Sequence, residues 1–161
     1  MQNKLKIVEN FLNKSDFDKL YALSMNTEWT IQSSTIDQLT FLYSEKTNDN
    51  FFNNYLYNMV LAHLEKNNYK LDRVYFNGQW NGREGSIHND ECDFTALLYL
   101  SPYEYGWGGF TEIFTETNPV LVHPYPNRLM IFNGLLSHKA YSFVYQQCPL
   151  RITLAFKINL K

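Results

Sequence analysis

The pattern of apolar and polar positions changes character near residue 69. Ahead of that point, a helical period predicts one helix from the N-cap residue Ser15 to about Met25. The same period predicts a second helix over Asp49–Lys66, with its apolar residues on one face. Leu5–Phe11 is typical of a strand, and Trp29–Tyr43 of one or two strands.

From residue 69 onward, short apolar runs alternate with turn residues, which is typical of an antiparallel sandwich or jelly roll. We predict seven strands: Arg73–Phe76, Phe94–Leu100, Phe110–Phe114, Val120–Val122, Arg128–Phe132, Lys139–Val144 and Ile152–Ile158. The fold class is therefore mainly β (α+β), with the N-terminal helices packed on one face of a sheet. No repeat or linker divides the chain, so we predict a single domain, helical over about 1–68 and β over about 69–161.

Composition narrows the possible functions. The chain has 161 residues, of which 45% are hydrophobic, enough for a buried core, and 17% are aromatic, which favours sheets. It contains no apolar run long enough for a membrane helix or a signal peptide, so we expect a soluble, cytoplasmic protein. The net charge of −2 makes a nucleic-acid partner unlikely. Cys92 and Cys148 are expected to be reduced structural thiols.

The chemistry-bearing residues lie in the β region. In His88-Asn89-Asp90, the first and third side chains point the same way on a strand and can grip one ion together. His138, 50 residues later, would complete a two-histidine, one-carboxylate set, which leaves coordination positions open and suits Fe(II). Taken singly, either histidine is more often an ordinary surface or hydrogen-bonded residue.

Arg151 opens an otherwise apolar run, Arg-Ile-Thr-Leu-Ala-Phe. A buried guanidinium is costly unless an anion meets it, and its planar fork matches a carboxylate. The sequence therefore predicts that Arg151 binds an anionic cosubstrate.

Five segments agree in order and spacing with one known family, over about Leu71–Lys161. They are His88–Asp90, Phe94–Leu100, Trp107–Phe114, Pro124 through Phe132 with His138, and Arg151–Leu154. In these segments the chain resembles the prolyl 4-hydroxylase-like branch of the 2-oxoglutarate and Fe(II)-dependent dioxygenases. The start, Ile7–Leu12 followed by a helix, is also similar to that family.

The resemblance implies a double-stranded β-helix core, related to jelly rolls and cupins. It implies that His88, Asp90 and His138 bind Fe(II). It also implies that Arg151 and Tyr99 bind the distal carboxylate of 2-oxoglutarate. The implied reaction uses O2 to convert 2-oxoglutarate into succinate and CO2 while a C–H bond is hydroxylated, and ascorbate is expected to stimulate it.

Two features depart from the family pattern. The 13-residue gap from His138 to Arg151 is long, so we expect the turn around Gln146–Pro149 to bulge. The family's upstream tyrosine has no obvious counterpart, with Phe76 near its place. The residue that binds the other end of 2-oxoglutarate stays unassigned.

The sequence says less about the substrate. Arg83, Trp80 and Trp107 lie in loops around the motif strands and are candidate substrate residues, although solvated turns and ordinary packing explain them as well. Family resemblance favours a prolyl residue of a peptide or protein. A free amino acid or other small molecule, a nucleobase and a non-catalytic jelly-roll binding module remain open, and the oligomeric state is not predicted.

Overall fold

The computed structural model describes residues 5–34, 36–65 and 68–161. Within these ranges the chain forms ten strands, two α-helices and one π-helical segment. The strands are β1 (Lys6–Val8), β2 (Thr30–Ser33), β3 (Thr40–Glu45), β4 (Tyr69–Gln79), β5 (Phe94–Tyr99), β6 (Thr111–Ile113), β7 (Val120–Val122), β8 (Leu129–Asn133), β9 (His138–Ala140) and β10 (Arg151–Leu160).

The first helix, α1 (Lys14–Met25), begins two residues earlier than the sequence suggested. Its N-cap is Asn13, whose side-chain oxygen accepts a hydrogen bond from the Asp16 amide at 2.9 Å. Predicting Ser15 as the N-cap was therefore wrong. Asn and Ser cap helices about equally well, so composition alone could not choose between them.

The second helical region is shorter than predicted. A π-helical segment (Phe51–Leu56) continues directly into α2 (Tyr57–Leu61), and their apolar face is buried. After Leu61 the backbone tightens into turns, because the amides of His63 and Leu64 bond carbonyls three residues back. The predicted end at Lys66 lies outside the described residues.

The strands form two sheets. The larger has seven strands in the order β1-β8-β5-β10-β4-β3-β2, and the smaller has three in the order β7-β6-β9; every pairing is antiparallel. Six predicted strands correspond to observed ones, but β9 covers only the start of Lys139–Val144. The chain leaves the ladder after Ala140, and Phe143 instead forms an isolated bridge with Gly108.

The seven-stranded sheet has two different faces, because side chains alternate along each strand. On one face Phe76, Leu98, Leu154 and Phe156 join the largest apolar core, which packs against α1 and the second helical region. The opposite face carries polar residues in its centre. This confirms the expectation that N-terminal helices cover one side of a sheet and leaves the other side for chemistry.

No helix in the described residues is long and apolar enough to cross a membrane. Cys92 and Cys148 are both buried and unpaired, as predicted.

Candidate metal and cosubstrate site

Three residues converge at the edge between the two sheets. His88 and Asp90 lie in the loop that leads from β4 to β5, and His138 is the first residue of β9. The backbones of the two histidines bond each other, with the His138 amide 2.8 Å from the His88 carbonyl and the reverse pair at 3.1 Å. This bridge fixes the two side chains next to each other, 50 residues apart in sequence.

The ligand atoms of these three residues all lie within 4.8 Å of one another. His88 Nε2 is 3.5 Å from Asp90 Oδ1, and His138 Nε2 is 3.3 Å from Asp90 Oδ2. Two imidazole nitrogens and one carboxylate oxygen on one side of a point make the facial set expected for Fe(II).

Hydrogen bonds to the backbone orient both imidazoles. His88 Nδ1 lies 2.9 Å from the Ser86 carbonyl, and His138 Nδ1 lies 3.0 Å from the Leu136 carbonyl. A carbonyl accepts only, so each Nδ1 carries a proton, and each Nε2 is the ring nitrogen that lies toward Asp90 and can bind a metal ion when it is not protonated. The donor atoms present therefore fit a divalent metal ion.

The carboxylate of Asp90 is held from behind by β5 and β10. Thr95 Oγ1 donates to Asp90 Oδ2 at 2.6 Å. The Lys157 ammonium forms an ion pair with the same oxygen, and both side chains are buried. Lys157 Nζ also lies 3.4 Å from Thr95 Oγ1.

Charge and burial determine the protonation states of His88, Asp90 and His138. Burial opposes ionisation of Asp90, but the bond with His88 and the nearby charge of Lys157 hold its pKa well below the usual range. Burial lowers the pKa of His138 to about 4, so that imidazole is neutral at pH 7. The hydrogen bond to Asp90 raises the pKa of His88.

A close approach at Gly134 positions the Asp90 loop. The Asp90 amide donates to the Gly134 carbonyl at 2.8 Å, and the Gly134 amide donates to the Asp93 carbonyl at 3.2 Å. A Cβ on Gly134 would lie 2.5 Å from the Cys92 carbonyl oxygen, far inside contact distance. Only glycine fits beneath this loop.

Arg151 is buried on the polar face of the larger sheet, with 3% of its surface exposed. Its guanidinium donates to the Gly109 carbonyl, to Gln79 Oε1 and to Thr111 Oγ1 at 2.8, 2.8 and 3.0 Å. All three acceptors are neutral. Within the described residues no carboxylate pairs with Arg151, so a buried positive charge is left without a counter-ion.

Tyr99, which the resemblance implies as a second residue for the distal carboxylate, lies beside that charge. Its ring centroid is 5.6 Å from the Arg151 guanidinium carbon, and its hydroxyl donates to Thr111 Oγ1 at 2.8 Å. Arg151 and Tyr99 thus meet at one threonine. This arrangement offers a planar cation and a phenol to an entering carboxylate.

The sequence left the counterpart of the family's upstream tyrosine unassigned, with Phe76 near its place. Phe76 is fully buried in the apolar core on the opposite face of the sheet, packed edge-on against Phe52. It cannot reach the cosubstrate side. Gln79, three residues later on β4, lies opposite Arg151 in register and bonds it.

A cavity of about 660 Å³ opens beside His88 and Asp90. Its inner wall is the polar face of β3 and β4, including Tyr43, Tyr75 and Asn77, and its outer wall is the β2–β3 hairpin. The side-chain oxygen of Asn77 is buried and has no hydrogen-bond partner among the described residues.

The three candidate substrate residues lie away from this cavity. Trp80 and Arg83 are exposed in the turn that follows β4, and Trp107 packs edge-on against Phe143. None of them lines the cavity. Their assignment as substrate residues stays a prediction.

Sequence reasoning missed Lys157, Asn77 and Gln79. A signal for Lys157 was available, since it is a second cation in the same apolar strand, six residues after Arg151 and therefore on the same face. Asn77 and Gln79 needed the register of β4 against β10, which pairs Gln79 with Arg151 and Asn77 with Thr153.

Comparisons with known proteins give a clear result for the fold alone. No family model matches the sequence, and no curated protein matches it. Solved structures do match across almost the whole chain.

A prolyl hydroxylase from Trichoplax adhaerens, in complex with a hypoxia inducible factor peptide, matches with a TM-score of 0.76 at 17% identity, covering 96% of this chain and 83% of that chain. A Pseudomonas putida prolyl-4-hydroxylase matches with a TM-score of 0.74 at 15% identity, covering 98% and 93%. HygX from Streptomyces hygroscopicus, with nickel and 2-oxoglutarate bound, matches with a TM-score of 0.77 at 9% identity, covering 99% and 84%.

The chain therefore has the fold of the 2-oxoglutarate and Fe(II)-dependent oxygenases, and the predicted double-stranded β-helix is confirmed. Prolyl hydroxylases are among the solved structures that share it.

Proposed function

We propose that this protein is an Fe(II)- and 2-oxoglutarate-dependent dioxygenase that hydroxylates a C–H bond. The observation that carries the proposal is that one fold holds a metal-ligand set and a buried cation. His88, Asp90 and His138 form a facial ligand set that suits Fe(II), and no carboxylate of the described residues pairs with the buried Arg151. Iron would suit the first and the carboxylate of 2-oxoglutarate the second.

Bound iron would activate O2 so that 2-oxoglutarate becomes succinate and CO2, with one oxygen atom entering each of succinate and the substrate. The protein supplies orientation. Arg151 and Tyr99 would bind the distal carboxylate of 2-oxoglutarate and align its keto acid with the ligand set. HygX, which shares the fold, was solved with 2-oxoglutarate bound, and this supports the proposal.

For the substrate, we propose a prolyl residue of a peptide or protein. A cavity of about 660 Å³ exceeds what a single amino acid needs and falls in the range of larger ligands, roughly 300–1,000 Å³. The edge strand β2 lines its mouth and is exposed along its length, with free backbone groups on which an extended peptide could dock. The Trichoplax prolyl hydroxylase, solved with a peptide, supports the same choice.

Asn77 is well placed to orient such a substrate. Asn77 lines the cavity, and its side-chain oxygen has no hydrogen-bond partner among the described residues, which costs free energy until a donor reaches it. Because this oxygen is buried, the side chain would have to turn toward the cavity for a backbone N–H of a bound peptide to supply the donor. HygX, which shares the fold, was solved with hygromycin B bound. A small-molecule substrate is therefore the alternative to a peptide.

The test uses purified protein with Fe(II), ascorbate and 2-oxoglutarate. We expect slow succinate formation without substrate, a faster rate with prolyl peptides, and a mass gain of one oxygen atom on proline. His138→Ala is the control and should form no succinate. A mass gain on free amino acids alone would contradict the peptide proposal, and no succinate under any condition would contradict the enzyme itself.

A further inference from the structure

Lys157 is the second buried cation on the polar face of the sheet. It lies on β10, in register with Thr95 on β5 and Arg73 on β4, and only 3% of its surface is exposed. Burying an ammonium is expensive unless a carboxylate pairs with it. Asp90 is the carboxylate that pairs with Lys157 within the described residues.

The two oxygens of Asp90 consequently have different surroundings. Oδ2 receives the Thr95 hydroxyl at 2.6 Å and also pairs with the Lys157 ammonium. Oδ2 also lies 3.3 Å from His138 Nε2. Oδ1 receives neither the Thr95 hydroxyl nor the Lys157 ammonium and lies 3.5 Å from His88 Nε2. Both oxygens therefore border the ligand set, but only Oδ2 is bound by Thr95 and Lys157, which leaves Oδ1 for a metal ion.

We propose that Lys157 is a positioning residue that restricts Asp90 to one-oxygen coordination. This inference rests on the function proposed above. A six-coordinate ion held by two imidazoles and one oxygen keeps three positions. The keto acid of 2-oxoglutarate needs two of them and O2 the third, whereas a carboxylate bound through both oxygens would leave only two.

The arrangement also predicts that Lys157 lowers the affinity for the metal ion. Two cations, the ammonium and the metal ion, share a single carboxylate in a buried site, so Lys157 weakens metal binding while it keeps the third position open. A residue with a merely structural role would have neither effect.

The experiment compares wild type with Lys157→Met, which keeps the side-chain length but removes the charge and the donor groups. Lys157→Arg restores a cationic donor, and Lys70→Met, an exposed lysine on β4, is the matched control. The proteins for crystallography are handled loaded with Mn(II), because the metal then supplies the counter-charge that Asp90 loses, and metal-free samples are kept for calorimetry. The coordination of Asp90 is determined by crystallography, and metal affinity by calorimetry.

We expect one-oxygen coordination by Asp90 in wild type, Lys157→Arg and Lys70→Met. Lys157→Met should show two-oxygen coordination and bind Mn(II) at least as tightly as wild type. With Fe(II) and 2-oxoglutarate under anaerobic conditions, nitric oxide serves as a probe of the O2 position. Its electron paramagnetic resonance signal should fall at least fivefold in Lys157→Met and stay unchanged in the Lys70 control.

Unchanged one-oxygen coordination in Lys157→Met would overturn the inference. So would a loss of Mn(II) affinity in that variant, since Lys157 would then assemble the ligand set instead of restricting it. If Lys157→Met does not fold, the Arg variant must still bind nitric oxide as wild type does. The Mn(II) measurements need no turnover, so they separate failure of this inference from failure of the dioxygenase proposal.

Discussion

The two faces of the seven-stranded sheet are made from alternate residues of the same strands. On β10, Ile152, Leu154 and Phe156 point into the apolar core, while Arg151 and Lys157 point to the other side. Both faces are equally buried there, and they differ in what completes them. The apolar face is completed by the protein's own helices, whereas the polar face has a cation and a ligand set that the described residues do not complete.

This difference shows that one face of the sheet serves stability and the other serves function. Apolar contacts on the first face stabilise the folded state directly, because they remove surface from water. The polar face contributes little stability of its own and keeps charges in place for ligands. Substitutions one residue apart on a strand should therefore have opposite kinds of effect.

The largest expected effect is on the polar side. His138→Ala should reduce metal affinity at least a hundredfold and abolish succinate formation, because two ligands do not hold the ion in the facial arrangement. The melting temperature should fall only modestly, because removal of the buried imidazole leaves a small cavity beside Phe132. Calorimetry with Mn(II) and a thermal melt check both statements. A large drop in melting temperature would mean that the ligand set also stabilises the fold.

Next comes a change on the apolar face of β10. Phe156→Ala should lower the free energy of unfolding by about 3–5 kcal/mol, because it leaves a cavity in a fully buried core. Any protein that remains folded should bind 2-oxoglutarate with wild-type affinity, because Phe156 does not face the site. Denaturant unfolding and calorimetry on the folded fraction measure the two quantities separately. Weakened 2-oxoglutarate binding would contradict the assignment of stability and ligand binding to different faces of the sheet.

Arg151→Met should have an intermediate effect restricted to the cosubstrate. Loss of a charge-assisted pair with a carboxylate costs roughly 1.5–3 kcal/mol, or about 10- to 100-fold in 2-oxoglutarate affinity. Metal affinity should change less than threefold, because Arg151 contacts none of the three ligands. Equal losses of metal and 2-oxoglutarate binding would show that Arg151 has been assigned the wrong role.

The smallest expected effect comes from a comparison of two residues of β4, the buried Val74 and the half-buried Asn77. Val74→Ala, on the apolar face, should destabilise the protein by about 1–2 kcal/mol through lost burial. Asn77→Ala should leave stability within about 0.5 kcal/mol of wild type, since it removes an acceptor that has no partner among the described residues. Matched urea titrations of the two variants give the comparison. A destabilisation by Asn77→Ala as large as that by Val74→Ala would mean that Asn77 is a structural residue.

Much of the fold was accessible from the sequence, because apolar alternation reports which strands are buried. The chemistry-bearing residues His88, Asp90, His138 and Arg151 were accessible for a second reason: their side chains are too polar to be buried without a partner. The structure brings the first three together and leaves Arg151 without an anion. Their roles in binding iron and 2-oxoglutarate remain predictions.

What the sequence could not supply was register and local geometry. Phe76 and Gln79 are three residues apart on one strand, and only the pairing of β4 with β10 decides which of them reaches Arg151. The predicted strand over Lys139–Val144 was wrong beyond Ala140, because its apolar residues pack under a loop instead of in a ladder. The unassigned residue and the overlong strand both depend on long-range contacts that no local pattern encodes.

The central claim is that the polar face holds a metal ion and 2-oxoglutarate together. Calorimetric titration of 2-oxoglutarate into the Mn(II)-loaded protein tests it most directly. The account predicts one binding site that requires the metal and is weakened about 10- to 100-fold in Arg151→Met. Absence of 2-oxoglutarate binding to the metal-loaded wild type would contradict it.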